Sequence, residues 1–223
     1  LPVAYSLFSR FQSNHSELKQ ALLKTVRIIA SVSLPIGVGL AILAPSISSV
    51  IFGQKWQGIE IVIALIGIMH CIGWLVGINP EVYRAMGRPD INSKLLIAAV
   101  VYYIPVYVLA APHGLLIFCF ARLGVAIMAM ALHLFVAHRM LNLPFTYLSN
   151  CIKSPLIGSL IMAIVIYSTI DVAGLLDNLN NIVGWLKTIA VITTGIATYV
   201  IAMWFIEREF VRRVLILARE CVA

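Results

Sequence analysis

Six long apolar segments constrain this chain more than any other feature of its sequence. A helix of about 20 mainly apolar residues crosses the roughly 30 Å hydrocarbon core of a bilayer, and each segment reaches or approaches that length. The segments cover residues 26–52, 59–78, 95–111, 114–137, 155–176 and 182–206. Because every backbone polar group must be satisfied within the segment in lipid, the pattern predicts an all-α, polytopic transmembrane helical bundle.

The composition excludes the main alternatives to a membrane protein. Hydrophobic residues make up 61% of the 223 residues and charged residues 11%, whereas soluble domains contain roughly 45–50% and 25%. Too few polar side chains are present to cover a water-facing surface, which excludes a soluble domain and a disordered chain. The four cysteines are widely separated and show no CxxC spacing, so we expect no metal site and no cofactor.

Prolines and glycines mark places where the spans could bend. Pro35, Pro45 and Pro105 lie inside predicted spans, and Gly37 and Gly39 follow the first of them. In a bundle, neighbouring helices can satisfy the carbonyl that a proline frees, so we expect kinks and not breaks. Pro35, Gly37, Gly39 and Pro105 are therefore candidate hinges, with plain helix packing as the alternative. A second pair, Gly73 and Gly77, has the GxxxG spacing that permits close helix approach.

The basic residues predict the orientation of the chain. Thirteen of the 16 Lys and Arg residues lie in the N-terminal loop, in two alternate loops and in the C-terminal tail, whereas only Lys55 and Lys187 lie on the opposite side. By the positive-inside rule, both ends of the segment are cytoplasmic. Because the basic residues are dispersed over four loops, the net charge of +7 does not indicate nucleic-acid binding.

Arg122 is the candidate functional residue. It lies within the fourth span, about 12 Å along the helix from its outer end, where a charge costs about 2.5–3.5 kcal/mol or more. No acidic residue lies deep in a span, so its counter-ion must be a ligand, a missing part of the protein or an edge residue such as Asp171. A guanidinium binds phosphate in a bidentate manner, which favours an anionic ligand. The alternatives are snorkelling to the surface and a structural bond to backbone carbonyls.

Other segments carry expectations that are mainly structural. Residues 1–8 resemble the end of a further helix, and the start at Leu1 suggests a piece of a longer protein. Residues 207–223 are predicted to form an interfacial amphipathic helix, and residues 143–152 a shorter one. We expect His70 and His133, both within spans, to be neutral, hydrogen-bonded histidines, with proton transfer as the alternative.

Four short strings occur in an order that resembles polysaccharide flippases. They are 1–12, similar to a P-x-x-S-R helix end; 34–40, similar to the helix that follows; 51–56, similar to an outer F/L-G-x-K-W turn; and 83–89, similar to a cytoplasmic A-x-G-R/K turn. Over nearly its whole length, the chain resembles the C-terminal half of a Wzx-type O-antigen or exopolysaccharide flippase. These flippases belong to the multidrug/oligosaccharidyl-lipid/polysaccharide exporter superfamily.

This resemblance implies a fold and an activity. The chain would be one lobe of a two-lobe, MATE-like transporter in the bacterial inner membrane, and the N-terminal lobe would be its missing partner. With membrane lipids around it, the whole protein would move an undecaprenyl-diphosphate-linked oligosaccharide by alternating access and would not be an enzyme. Arg122 would bind the diphosphate or acidic sugars. Arg84 and Arg88 would contact the headgroup at the cytoplasmic mouth, with solvated topology determinants as the alternative.

Three other functions stay open at the sequence level. A cation-coupled drug antiporter of the same superfamily would favour an acidic residue in a lobe. An integral-membrane glycosyl- or acyltransferase would need an acid or histidine cluster at a membrane mouth, for which His138 and Arg139 are the candidates. An accessory subunit would use this half alone. The sequence specifies neither the glycan nor the energy source.

Overall fold

The computed structural model describes Phe8 and residues 15–56, 58–172 and 182–212, and every regular element in this part of the chain is helical. The α-helices are α1 (His15–Ile47), α2 (Glu60–Val76), α3 (Asn79–Ala85), α4 (Pro89–Ala110), α5 (Leu115–Leu141), α6 (Phe145–Val172) and α7 (Ile182–Ile206). A π-helical turn, Ser48–Phe52, extends α1, and 3₁₀ turns occupy Gln54–Trp56 and Ala111–His113. Within the described residues, six helical stretches are long and apolar enough to cross a membrane. The predicted all-α polytopic bundle is confirmed.

The helices extend beyond the predicted spans at the end of the bundle that carries the basic loops. We call this the basic end; it contains residues 78–89 and 139–145. α1 begins at His15 and α4 at Pro89, and α6 is continuous from Phe145 to Val172. A separate interfacial helix over 143–152 is therefore wrong. Hydropathy reports which part of a helix is immersed in lipid, whereas the backbone stays helical as it emerges among polar residues.

α1 is the central helix of the bundle. It packs against α2 on one side and α6 on the other; α7 then packs on α6, α5 on α2, and α4 on α5. The α1–α2 crossing is close because two glycines meet there. A Cβ on Gly37 would lie 2.6 Å from Cys71 Cβ and 2.9 Å from the Gly67 carbonyl oxygen. Small residues let membrane helices approach in this way.

The pair Gly73 and Gly77, whose spacing permits close helix approach, makes no close contact with another helix in the described part of the chain. A Cβ on Gly73 would meet no atom of the described neighbours within 4 Å, and one on Gly77 would meet only atoms of its own helix. The GxxxG spacing permits close approach but does not determine which helix face is covered. The glycine contact lies instead at Gly37 and Gly67.

α1 passes through Pro35 and Pro45 without ending, and α4 passes through Pro105. A proline at position i cannot donate to the carbonyl at i−4, so Pro35 frees the carbonyl of Ser31. The hydroxyl of Tyr199, on α7, donates a hydrogen bond to this carbonyl over 2.8 Å. The expectation that a neighbouring helix satisfies the freed acceptor is confirmed at this proline.

At the basic end, apolar packing and an ion pair join α1 to neighbouring segments. Phe8 is fully buried in a cluster with residues of α1, α3 and the end of α5. Nearby, the Arg27 guanidinium forms a salt bridge with Glu207, which follows α7, and lies 4.9 Å from the Phe210 ring. Of the predicted interfacial helix 207–223, residues 213–223 lie outside the described part of the chain. Within 207–212, Glu207 and Phe210 both contact Arg27 of α1.

Candidate functional site

Arg122 lies on α5, about 10 Å along the helix from Leu115 at 1.5 Å per residue. Its side chain is exposed and lines a cavity of about 230 Å³. Among the described residues, Arg122 forms no ion pair and no hydrogen bond. The structure therefore places an uncompensated guanidinium beside open space within a predicted span.

Three further polar side chains line the same cavity. His70 comes from α2, and Tyr103 and Tyr107 come from α4. Residues four apart lie on one face of a helix, so Tyr103 and Tyr107 present a single polar face toward α5. Because α2 and α4 both pack against α5, polar groups from three helices converge. The rest of the described lining is apolar.

Aromatic contacts fix the tyrosine side of the cavity. The ring centroids of Tyr103 and Tyr107 are 5.5 Å apart, and those of Tyr107 and Phe118 are 5.2 Å apart. Tyr102 contacts Tyr103 edge-on at 4.9 Å. Phe118 precedes Arg122 by one turn of α5, so the row of rings runs from α4 onto the helix that carries the guanidinium. Such pairs contribute about 0.5–1.5 kcal/mol each beyond burial, which restrains the rings.

Sequence reasoning singled out Arg122 but not the tyrosines. The spacing of Tyr103 and Tyr107 within an apolar span was the available signal. The two tyrosines share a site with Arg122 only because α4 packs against α5. The spacing of the tyrosines does not predict that packing. The side chain of Asp171, one candidate counter-ion, lies outside the described residues. The role of Arg122 in substrate binding stays a prediction.

The two intramembrane histidines have different surroundings. His70 is exposed to the cavity. His133, on α5, is partly buried, and its ring Nδ1 has no hydrogen-bond partner in the described structure. The expected hydrogen bond is therefore absent at that nitrogen. The contact of His133 with Tyr83 uses the His133 backbone carbonyl, which accepts from the Tyr83 hydroxyl over 3.4 Å.

Arg84 and Arg88 lie away from this cavity, around the turn between α3 and α4. Arg84 is 3.5 Å from a carboxylate oxygen of Glu81. Arg88 donates to Asp90 over 3.0 Å, and this hydrogen bond raises the pKa of Arg88 above its ordinary value. Lys94 also pairs with Asp90 over 3.0 Å. Each predicted headgroup contact thus already has an acidic neighbour, and binding of a lipid headgroup there stays a prediction.

The candidate hinge residues fall into different environments. Gly37 is in the tight α1–α2 contact, where an added Cβ clashes. Pro35 and Gly39 line a second cavity, about 420 Å³ in volume and almost wholly apolar, between α1, α6 and α7. Pro105 is exposed on α4. A hinge role stays a prediction for all four.

The part of the chain that is described contains no cluster of metal-binding side chains. No three His, Cys, Asp or Glu side chains there are placed to hold a metal ion. His138, one candidate residue for the transferase alternative, contacts the Leu143 backbone carbonyl through its ring Nδ1. This contact lies at the turn where Asn142 adopts a left-handed conformation after α5, which indicates a structural role.

Comparison with known proteins gives partial but consistent matches. A family model described as "Polysaccharide biosynthesis protein" matches residues 1–61. The teichuronic acid biosynthesis protein TuaB of Bacillus subtilis (strain 168) is 26% identical over 89 residues, which cover 40% of this chain and 18% of TuaB. The lipopolysaccharide biosynthesis protein WzxC of Escherichia coli (strain K12) is 24% identical over 110 residues, 48% of this chain and 22% of WzxC.

These matches span about a fifth of each curated relative. No solved structure matches the chain. The family model covers three of the four strings that carry the resemblance, 1–12, 34–40 and 51–56, and both relatives carry names from polysaccharide biosynthesis. The chain is a multi-pass membrane protein, and the comparisons support its resemblance to polysaccharide flippase-type proteins.

Proposed function

We propose that this chain forms one lobe of a transporter that moves a lipid-linked oligosaccharide across the bacterial inner membrane by alternating access. The lipid carrier would be undecaprenyl diphosphate, and the product would serve lipopolysaccharide or exopolysaccharide synthesis. The similarity to polysaccharide biosynthesis proteins supports the polysaccharide-related part of this proposal. The six apolar helices support a membrane transporter.

The observation that carries the proposal is the unpaired Arg122 in a polar cavity. Glycans and diphosphates cannot cross hydrocarbon unaided, because their polar groups would lose hydration without compensation. A cavity that offers a guanidinium, two phenols and an imidazole replaces part of that hydration. The described lining contains no acidic side chain, so it favours an anionic ligand over the cationic drug that an antiporter would bind.

A second lobe would complete the transport pathway. α4 and α5, two of the helices that line the Arg122 cavity, are the least buried of the six described spans. Their exposed faces are therefore available for contact with a second lobe. With the basic end in the cytoplasm, the cavity would lie in the outer half of the membrane. The transported headgroup would then reach Arg122 after it enters from the cytoplasmic side and before its release.

The test is export of surface polysaccharide by the whole protein as its gene encodes it. Arg122→Ala is expected to abolish surface polysaccharide while membrane levels stay normal, and Arg122→Lys to retain part of the activity because the charge is preserved. Arg139→Ala is the matched control, since Arg139 is an exposed arginine at the basic end of the same helix. Unimpaired export with Arg122→Ala would refute the assigned role.

A further inference from the structure

We propose that the Arg122 cavity is a subsite for one carboxylate-bearing sugar ring of the transported glycan, and not for the diphosphate that joins the glycan to its lipid. The inference rests on the proposed function and specifies which part of the substrate this site recognises. Three properties of the cavity carry it: its charge, its volume and the hydrogen-bonding capacity of its polar side chains.

The charge of the cavity matches a monovalent anion. Arg122 is the single Lys or Arg side chain among the described lining residues. A carboxylate accepts two parallel hydrogen bonds from one guanidinium, which also neutralises its charge. A diphosphate carries more than one negative charge, so one guanidinium would leave charge uncompensated. The second negative charge would then have no described partner within a membrane span, which is unfavourable.

The volume of the cavity suits a single sugar unit. Sites for drug-sized ligands usually have volumes of about 300–1,000 Å³, and this one is smaller, at about 230 Å³. At roughly 30 Å³ per water molecule, it corresponds to about eight waters. One sugar ring with its carboxylate is a suitable occupant, whereas an oligosaccharide would have to extend out of the cavity.

The remaining polar groups suit hydroxyls better than phosphate oxygens. The phenol hydroxyls of Tyr103 and Tyr107 both donate and accept hydrogen bonds, and the imidazole of His70 provides ring nitrogens for either role. Sugar hydroxyls also donate and accept, so they can use both capacities. A diphosphate oxygen only accepts. The rings of Tyr103 and Tyr107, which line the cavity, add ring surface against which the C–H groups of a sugar can pack.

The test is direct binding to the purified whole protein in nanodiscs of neutral phosphatidylcholine, measured by titration calorimetry. The probes are a disaccharide with one glucuronic acid, its neutral glucose counterpart and farnesyl diphosphate. We expect the acidic disaccharide to bind at least about ten-fold more tightly than the neutral one, and Arg122→Gln to remove that difference. Tyr103→Phe and Tyr107→Phe keep the rings and should each weaken the acidic disaccharide several-fold.

Tyr167→Phe is the matched control for the tyrosine variants. Tyr167 lies on α6, is 73% exposed and does not line the cavity, so its substitution should leave all three affinities unchanged. Equal binding of the acidic and neutral disaccharides would overturn the proposal, and so would binding of none of the three probes. Arg122-dependent binding of farnesyl diphosphate alone would overturn the sugar subsite and leave the transport function standing. Normal export by cells carrying Arg122→Ala would instead refute the transport role itself.

Discussion

Arg27 has a packing role that its position among the basic residues of the sequence does not reveal. In the sequence it belongs to the set of charges that predicts orientation. In the structure it pairs with Glu207, whose side chain is only 13% exposed, and it contacts the Phe210 ring. The same guanidinium therefore joins α1 to the segment that follows α7.

Arg27→Met is expected to lower the free energy of unfolding by about 1–3 kcal/mol, because the largely buried Glu207 carboxylate loses its charged partner. The measurement is unfolding of the purified protein in detergent, with Glu207→Gln completing a double-mutant cycle. Lys94→Met is the control, since the Lys94–Asp90 pair is exposed and should contribute about 0.5 kcal/mol or less. Equal costs for Arg27→Met in the presence and absence of Glu207 would contradict this interpretation.

At the scale of elements, α1 and α7 are coupled through a proline. Pro35 frees the Ser31 carbonyl, and the Tyr199 hydroxyl donates to it over 2.8 Å. The two helices otherwise touch at few points and are separated by the apolar cavity between α1, α6 and α7. One hydrogen bond thus stabilises a bend-prone position and sets the approach of two helices.

Tyr199→Phe is expected to destabilise the protein by about 1 kcal/mol, because the freed carbonyl loses its donor. In a Pro35→Ala background the same substitution should cost less, since an alanine at position 35 supplies the backbone N–H that the Ser31 carbonyl lacks. The measurement is again detergent unfolding, arranged as a double-mutant cycle. If Tyr199→Phe costs the same in both backgrounds, the hydroxyl does not compensate for the proline.

The α1–α2 crossing gives a second prediction at this scale. Gly37→Ala should destabilise by about 1–3 kcal/mol, because its Cβ would lie 2.6 Å from Cys71 Cβ and the core would be overpacked. Gly73→Ala is the matched control: no described atom lies within 4 Å of its added Cβ, and helix propensity favours alanine by up to about 1 kcal/mol. Thermal unfolding midpoints in detergent distinguish the two, and a loss of stability at Gly73 equal to that at Gly37 would contradict the packing argument.

At the scale of the whole molecule, the orientation of the bundle determines from which side the Arg122 cavity is reached. Thirteen of 16 basic residues predict a cytoplasmic basic end. The proposal that the substrate meets Arg122 in the outer half of the membrane depends on this orientation.

Cysteine labelling in intact cells tests the orientation. In a variant without the natural cysteines, Lys55→Cys and His113→Cys should react with a membrane-impermeant maleimide added outside. Lys94→Cys and Arg139→Cys should react only after permeabilisation. All four positions are exposed in the structure, so a difference in labelling reports sidedness and not burial. The reverse labelling pattern would place the basic end outside the cell.

The sequence by itself determined the class of protein, the six spans and the existence of an intramembrane arginine, because these follow from local hydropathy and from the cost of a charge in lipid. Only the tertiary structure decided which side chains accompany Arg122, which glycines meet and which hydroxyl satisfies the carbonyl freed by Pro35. The physical reason is that lipid and apolar side chains are nearly equivalent surroundings for an apolar helix face. Hydropathy therefore sets which helices form, whereas close packing and a few polar contacts select their neighbours.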